Sequence, residues 1–208
     1  MTPPRILNMD DKRPVFLIMD ASPIIMLAAI GKLDWLFEPC GTVYMTDMVM
    51  EEVTREPESG DDPRRDWLEY TRSWIQKHRF RIRRIDTSTF SDYQLALEGW
   101  KATGAALERK PKLRHKGDAS VRETLAAFRG KIEPDETIVV LMDDGDGRDM
   151  LRGLRRINLD VFGTRVFIDA MHESFEIADA ATAWEAVLRV IPTADPGAEI
   201  DPFYVRRA

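Results

Sequence analysis

Thr137-Ile138-Val139-Val140-Leu141-Met142-Asp143-Asp144-Gly145-Asp146-Gly147 is the stretch that decides the fold. A run of apolar and β-branched residues passes straight into an acidic, glycine-bearing turn. Such a run, without polar alternation, predicts a strand buried on both faces, as in a parallel sheet. A helix is expected next, from Arg148 to about Ile157, and then a short strand at Leu159–Phe162. The same pattern occurs near the start of the chain, where Val15–Met19 is apolar and ends in Asp20. Ser22-Pro23 then reads as an N-cap with proline at the first helical position. Ile24–Ile30 continues as an apolar helix that Gly31 stops.

Between these two strands the pattern predicts a short helix at Asp34–Phe37 and a strand at Thr42–Met45. Thr46 caps a helix that runs to about Arg55. A polar loop follows from Glu56 to Arg65, then a helix at Trp67–Lys77 and a strand at Phe80–Ile85. Thr87–Ala102 reads as a helix with Phe90, Leu95 and Leu97 available to pack. A basic loop at Arg109–Lys116 leads through Gly117 into a helix at Asp118–Phe128. Helices at Thr164–Met171 and Ala178–Val190 precede a proline-bearing tail that starts at Pro192. Strands alternating with helices predict α/β layers around a mostly parallel sheet.

The 208 residues, 44% of them hydrophobic, suffice for one large domain with a core of its own. The single cysteine, Cys40, excludes a disulfide framework and a cysteine-based zinc site. The apolar runs are far below the ~20 residues of a membrane span. Residues 1–14 are too polar for a secretory signal, so a soluble cytoplasmic protein with no membrane partner is expected. Neither GxGxxG nor GxxxxGK[ST] occurs, which disfavours P-loop and dinucleotide enzymes.

Net charge is −6, from 30 basic and 36 acidic residues, which taken whole argues against a nucleic-acid partner. The distribution reverses that reading. From Arg72 to Lys116, twelve basic residues stand against four acidic ones, a local charge of +8, and the remainder carries −14.

Ligands of open α/β sheets bind beyond the carboxyl ends of the strands. Both apolar strands end there in acids: Asp20, and the group Asp143, Asp144 and Asp146. A single aspartate in that place is accounted for as a helix cap. Three together repel one another unless something positive sits among them. Glu52, on the helix after the second strand, and Asp118, at a helix start, belong to the same end. Taken singly, Glu52 reads as an exposed helical glutamate and Asp118 as a cap; the combination points to a shared site.

The chain resembles the PIN-domain nucleases, the family of the VapC-type toxins. The resemblance rests on Phe16-Leu17-Ile18-Met19-Asp20-Ala21-Ser22, on Tyr44-Met45-Thr46-Asp47-Met48-Val49-Met50-Glu51-Glu52-Val53 and on Lys116-Gly117-Asp118-Ala119. It is completed by Leu141-Met142-Asp143-Asp144-Gly145-Asp146 and by Val161-Phe162-Gly163-Thr164. Thr46 stands where the family has proline, Asp118 where it more often has glutamate, and Met142 where it has a hydroxyl residue. The resemblance implies a three-layer α/β/α sandwich with a core at about residues 15–171. It also implies an insertion at about 87–111 and an extra helix and tail at about 178–208, all in one domain.

By this resemblance Asp20, Glu52, Asp118 and Asp144 are catalytic, and the same four together with Asp143 and Asp146 are assigned to the metal. An all-carboxylate set suits hard cations such as Mg²⁺ or Mn²⁺. The implied reaction is hydrolysis of RNA phosphodiesters, leaving a 5′-phosphate and a 3′-hydroxyl. Ser22 either caps its helix or supports a water at the metal. Lys110, Lys112, Arg114 and Lys116 lead into Asp118 and are assigned to RNA contact. Arg79, Arg81, Arg83 and Arg84 fit a phosphate-binding edge and a solvated strand face equally well. Trp74, Phe80, Phe90, Tyr93 and Trp100 are read as core, and none of His78, His115 and His172 as a ligand or general base. An EF-hand is excluded, because loop position twelve falls on Leu154 or Arg155.

The family resemblance further implies a homodimer and a cognate antitoxin whose tail covers the site. Two other readings stay open on the sequence. One is a housekeeping RNA-processing nuclease without an antitoxin. The other is a catalytically weak or inactive PIN-like module that binds RNA or protein.

Overall fold

Five parallel strands carry the chain past its own acids. They are β1 (Arg13–Met19), β2 (Val43–Thr46), β3 (Ile82–Ile85), β4 (Glu136–Leu141) and β5 (Leu159–Phe162), in the spatial order β3-β2-β1-β4-β5. This computed structural model describes residues 13–56, 62–104, 110–113, 115–129, 131, 136–152 and 159–194. The α-helices in it are α1 (Ala21–Ala29), α2 (Asp47–Thr54), α3 (Arg65–Lys77), α4 (Ser88–Ala102), α5 (Lys116–Phe128), α6 (Gly145–Arg152), α7 (Thr164–Glu173) and α8 (Ala183–Val190). Short 3-10 turns lie at Leu33–Phe37 and Ala178–Thr182.

The apolar runs form the middle of the sheet because they are covered on both faces. Ile138, Val140 and Leu141 are fully buried on β4, as are Leu17, Ile18 and Met19 on β1. Parallel strands joined by right-handed crossovers place helices on both sides. One group, α1, α3, α7 and α8, is linked through α1; the other joins α4 and α6 to α5. Helix α2 touches α1 and α3 as well as α4 and α5. The result is the expected three-layer α/β/α arrangement, with an all-parallel sheet among the described residues.

Several element starts differ from the sequence reading, for local reasons. Asp20, not Ser22, holds the cap position of α1, so Ser22 lies inside the first turn and makes no cap. Helix α5 starts at Lys116, so Asp118 is inside its first turn and is not its cap. On α4 the buried side chain is Tyr93, whereas Leu95 is 71% exposed. Phe80, read as core, is 77% exposed and lies beside the Arg79 guanidinium, 4.8 Å from its ring centroid. Residues 105–109, Arg114, 153–158 and 195–208 fall outside the described residues; the end of the helix expected to reach Ile157 and most of the proline-bearing tail lie there. No helix among the described residues is long and apolar enough to cross a membrane.

Candidate metal centre

Beyond the carboxyl end of β1 the backbone N–H of Asp20 still donates to the Leu141 carbonyl at 2.9 Å, so the site begins where β1 and β4 are still joined. Asp20 is buried. Glu52 reaches the same place from the last turn of α2 and is half-buried. The piece that meets both is Gly117, in the first turn of α5. A Cβ on Gly117 would stand 3.0 Å from Asp20 Oδ1 and 3.4 Å from Glu52 Oε2. Only a residue without a side chain lets that helix turn lie against both acids.

Asp118 follows Gly117 and is buried. Its Oδ1 faces Gly147 on α6, where a Cβ would stand 3.1 Å away. Asp144 caps α6: its Oδ1 accepts the Asp146 backbone N–H at 3.0 Å, and its carbonyl accepts the Arg148 N–H at 3.0 Å. Asp20, Glu52, Asp118 and Asp144 are thus brought to one end of the sheet by three helix starts and one helix end.

A line of hydroxyls fixes α2 and α5 to each other. The Val49 N–H donates to Thr46 Oγ1 at 3.2 Å, Thr46 Oγ1 and Ser120 Oγ lie 2.7 Å apart, and Ser120 Oγ donates to the Gly117 carbonyl at 2.7 Å. With the Ser120 proton committed to Gly117, the proton between the two hydroxyls is supplied by Thr46. Both residues are fully buried, so each bond is hard to replace by water. Thr46 therefore serves as cap of the helix that bears Glu52 and as anchor of the helix that bears Asp118.

Burial and mutual repulsion hold these carboxyls above their ordinary range. Desolvation first, and the Asp118 charge second, push Asp20 from 3.8 up to about 7, against the pull of the Ala21 backbone amide; Glu52 and Asp143 add to the rise. Burial raises Glu52 as well, reinforced by Asp118 and opposed by Arg55 and Arg64. Asp118 is raised by burial and then by Asp144, with His115 opposing. Closely placed acids with raised affinity for protons are a set that a divalent cation would relieve, and their all-oxygen chemistry fits such an ion.

Asp143 stands apart from this set in its bonding. Its Oδ1 accepts the Thr164 backbone N–H at 2.7 Å and its Oδ2 accepts the Thr164 hydroxyl at 2.6 Å, which clamps the start of α7 to the end of β4. Asp47, just after β2, clamps Thr87 at the start of α4 in the same way, at 2.8 and 2.6 Å. Asp146 is exposed on the first turn of α6. Lys112 is exposed, Lys110 and Lys116 are half-buried, and Arg114 lies outside the described residues. Arg81 donates to the Gly41 carbonyl and stacks 3.8 Å from the Phe37 ring centroid, which gives it a structural role.

The sequence reading placed His115 outside the ligands and general bases. This residue holds the cap position of α5 in the left-handed region, at φ 61, and makes no cap bond with its side chain. One donor atom from each of His115, Asp118 and Asp144 lies within 4.8 Å of the others. The lone histidine gave no signal because its partners are supplied by the turn of the helix and by a distant strand end.

Residues 16–113 match the family model described as DUF3368: PIN domain. Over these residues the chain is similar to the PIN-domain family. PIN domains are generally nucleases, and they typically use divalent metals. The matched stretch carries Asp20 and Glu52; Asp118 and Asp144 come from the residues that follow it. No curated protein matches the chain.

Proposed function

We propose that this chain is a metal-dependent endoribonuclease, using Mg²⁺ or Mn²⁺, and that it acts as the toxin of a type II toxin–antitoxin pair. The observation that carries the nuclease reading is the convergence of Asp20, Glu52, Asp118 and Asp144, with Gly117 and Gly147 shaped to let the first three approach. A divalent cation held by these carboxylates would supply a more acidic bound water and a counter-charge for the phosphate.

The chain's own groups set the geometry. Asp144 keeps Oδ1 on the Asp146 amide, which leaves its Oδ2 toward the other acids, and the bare Gly147 leaves room for the Asp118 carboxylate. Lys112, exposed on the approach to α5, and Lys116, on its first turn, are suited to draw in and orient the phosphate backbone. The expected products carry a 5′-phosphate and a 3′-hydroxyl. The toxin assignment rests on the motif resemblance, and on the fit of an acidic site to the basic tail of an antitoxin. A homodimer in the cytoplasm goes with that assignment.

The test is cleavage of RNA by purified protein with Mg²⁺ or Mn²⁺, with and without chelator, beside Asp20→Asn and Asp144→Asn. Cleavage that needs the ion and is abolished by both substitutions is the expected result. Full activity of Asp144→Asn would sink the site assignment. No cleavage together with no bound ion would leave a PIN-like binding module. Neutralisation by the product of an adjacent small reading frame separates a toxin from a processing nuclease.

A further inference from the structure

We infer that His115 is a nitrogen ligand of the metal centre, and that it makes this end of the site select Mn²⁺-class transition ions over Mg²⁺. The inference rests on the nuclease reading and adds a ligand to it.

His115 Nδ1 lies 3.7 Å from Asp118 Oδ2 and 4.0 Å from Asp144 Oδ2. These separations are too long for hydrogen bonds. They are the right size for atoms that share one ion: donors ~2.1 Å from a common centre stand roughly 3.0–4.2 Å apart. The carboxylate oxygens that face the imidazole are the two Oδ2 atoms. Asp144 Oδ1 is taken by the Asp146 amide and Asp118 Oδ1 faces Gly147, so both Oδ2 atoms and Nδ1 converge on one space.

The ring's charged neighbours are these same two carboxylates. Its side chain gives α5 no cap bond, although it occupies the cap position. Its half-exposed setting leaves the ion site open to substrate and water. Imidazole suits first-row transition ions, whereas Mg²⁺ binds nitrogen poorly and prefers carboxylate and water. A mixed nitrogen and oxygen set therefore discriminates between two ions that the four carboxylates alone would treat alike.

The experiment is calorimetric titration of the full chain with MnCl₂ and with MgCl₂, supported by the visible absorption of a Co²⁺-loaded sample. His115→Asn is the key variant, because asparagine tolerates the left-handed backbone and offers oxygen in place of nitrogen. His115→Gly relieves the same backbone and removes the donor altogether. Both are expected to weaken Mn²⁺ binding by about tenfold or more and to shift the Co²⁺ bands, with Mg²⁺ binding changed less than about twofold. Unchanged Mn²⁺ affinity, or equal loss for both ions, overturns the assignment while leaving the carboxylate site intact. Absence of binding by either ion to the unsubstituted chain overturns this inference and the nuclease reading together.

Discussion

Gly147 is packed against Asp118 so closely that a methyl group there would stand 3.1 Å from Asp118 Oδ1 and 2.6 Å from the sulfur of Met142. Met142 is fully buried, so its sulfur has little room to retreat. Gly147→Ala is expected to cost about 1–3 kcal/mol in urea unfolding through overpacking, and to weaken divalent-ion binding by displacing Asp118. Gly145→Ala is the control, since a Cβ there would meet nothing nearer than the Arg148 guanidinium at 3.9 Å. Equal stability of the two variants would contradict the packing.

The Asp20 carboxyl gives the metal-free protein a pH dependence of definite sign. Burial first, then the Asp118 charge, raise it from 3.8 to about 7, so the folded chain holds a proton there that the unfolded chain has released. Its contribution favours folding most below about pH 4 and is lost as pH rises through 7. In chelator, thermal unfolding should therefore show falling stability between pH 5 and pH 8, and Asp20→Asn should flatten that slope. An unchanged slope in the variant would assign the effect elsewhere.

Thr46 and Ser120 should behave as one unit. Ser120→Ala leaves the buried Thr46 hydroxyl and the Gly117 carbonyl each short of a partner, at a cost of about 1–3 kcal/mol. Thr46→Val also removes the cap of α2, since Val49 loses its acceptor. Chemical denaturation of the single and double variants should give a double-mutant loss smaller than the sum of the singles. Additive losses would mean that the two helices are not coupled through these hydroxyls.

Asp143 and Asp144 are neighbours with separable consequences. Asp143→Ala leaves the Thr164 amide and hydroxyl without that acceptor and should destabilise by about 1–3 kcal/mol. Asp143→Asn can keep both bonds by turning the Thr164 hydroxyl, and should preserve stability and ion affinity. Asp144→Asn should do the reverse of Asp143→Ala, holding the fold and losing the ion. Loss of ion binding in Asp143→Asn would return that residue to the ligand set.

Strand positions were legible because burial on both faces writes an uninterrupted apolar run, as in Thr137–Met142, and strand ends were marked by acids. The four acids that the fold brings to one end of the sheet could be picked out by order and context. What stayed hidden depends on contacts across the fold. Asp143 and Asp47 look like further acids until Thr164 and Thr87 are seen to occupy both oxygens of each. Ser22 reads as a cap because Ser-Pro is a common helix opening, yet helix α1 starts earlier, on Asp20. His115 has no neighbour in sequence that announces Asp144.

The central pairing has a consequence for the order in which the chain becomes competent. Leu17 lies between Val43 and Val139 in the sheet, so β1 takes one neighbour early and waits for β4, made far later, for the other. Long-range pairing of this kind forms late, because a large loop must close before it is rewarded. A nascent chain that has emerged only through β3 holds Asp20 and Glu52 but has neither Asp118 nor Asp144. During synthesis the growing polypeptide therefore carries half of its ion-binding set first, and the other half arrives only after β3 and α4 have been made.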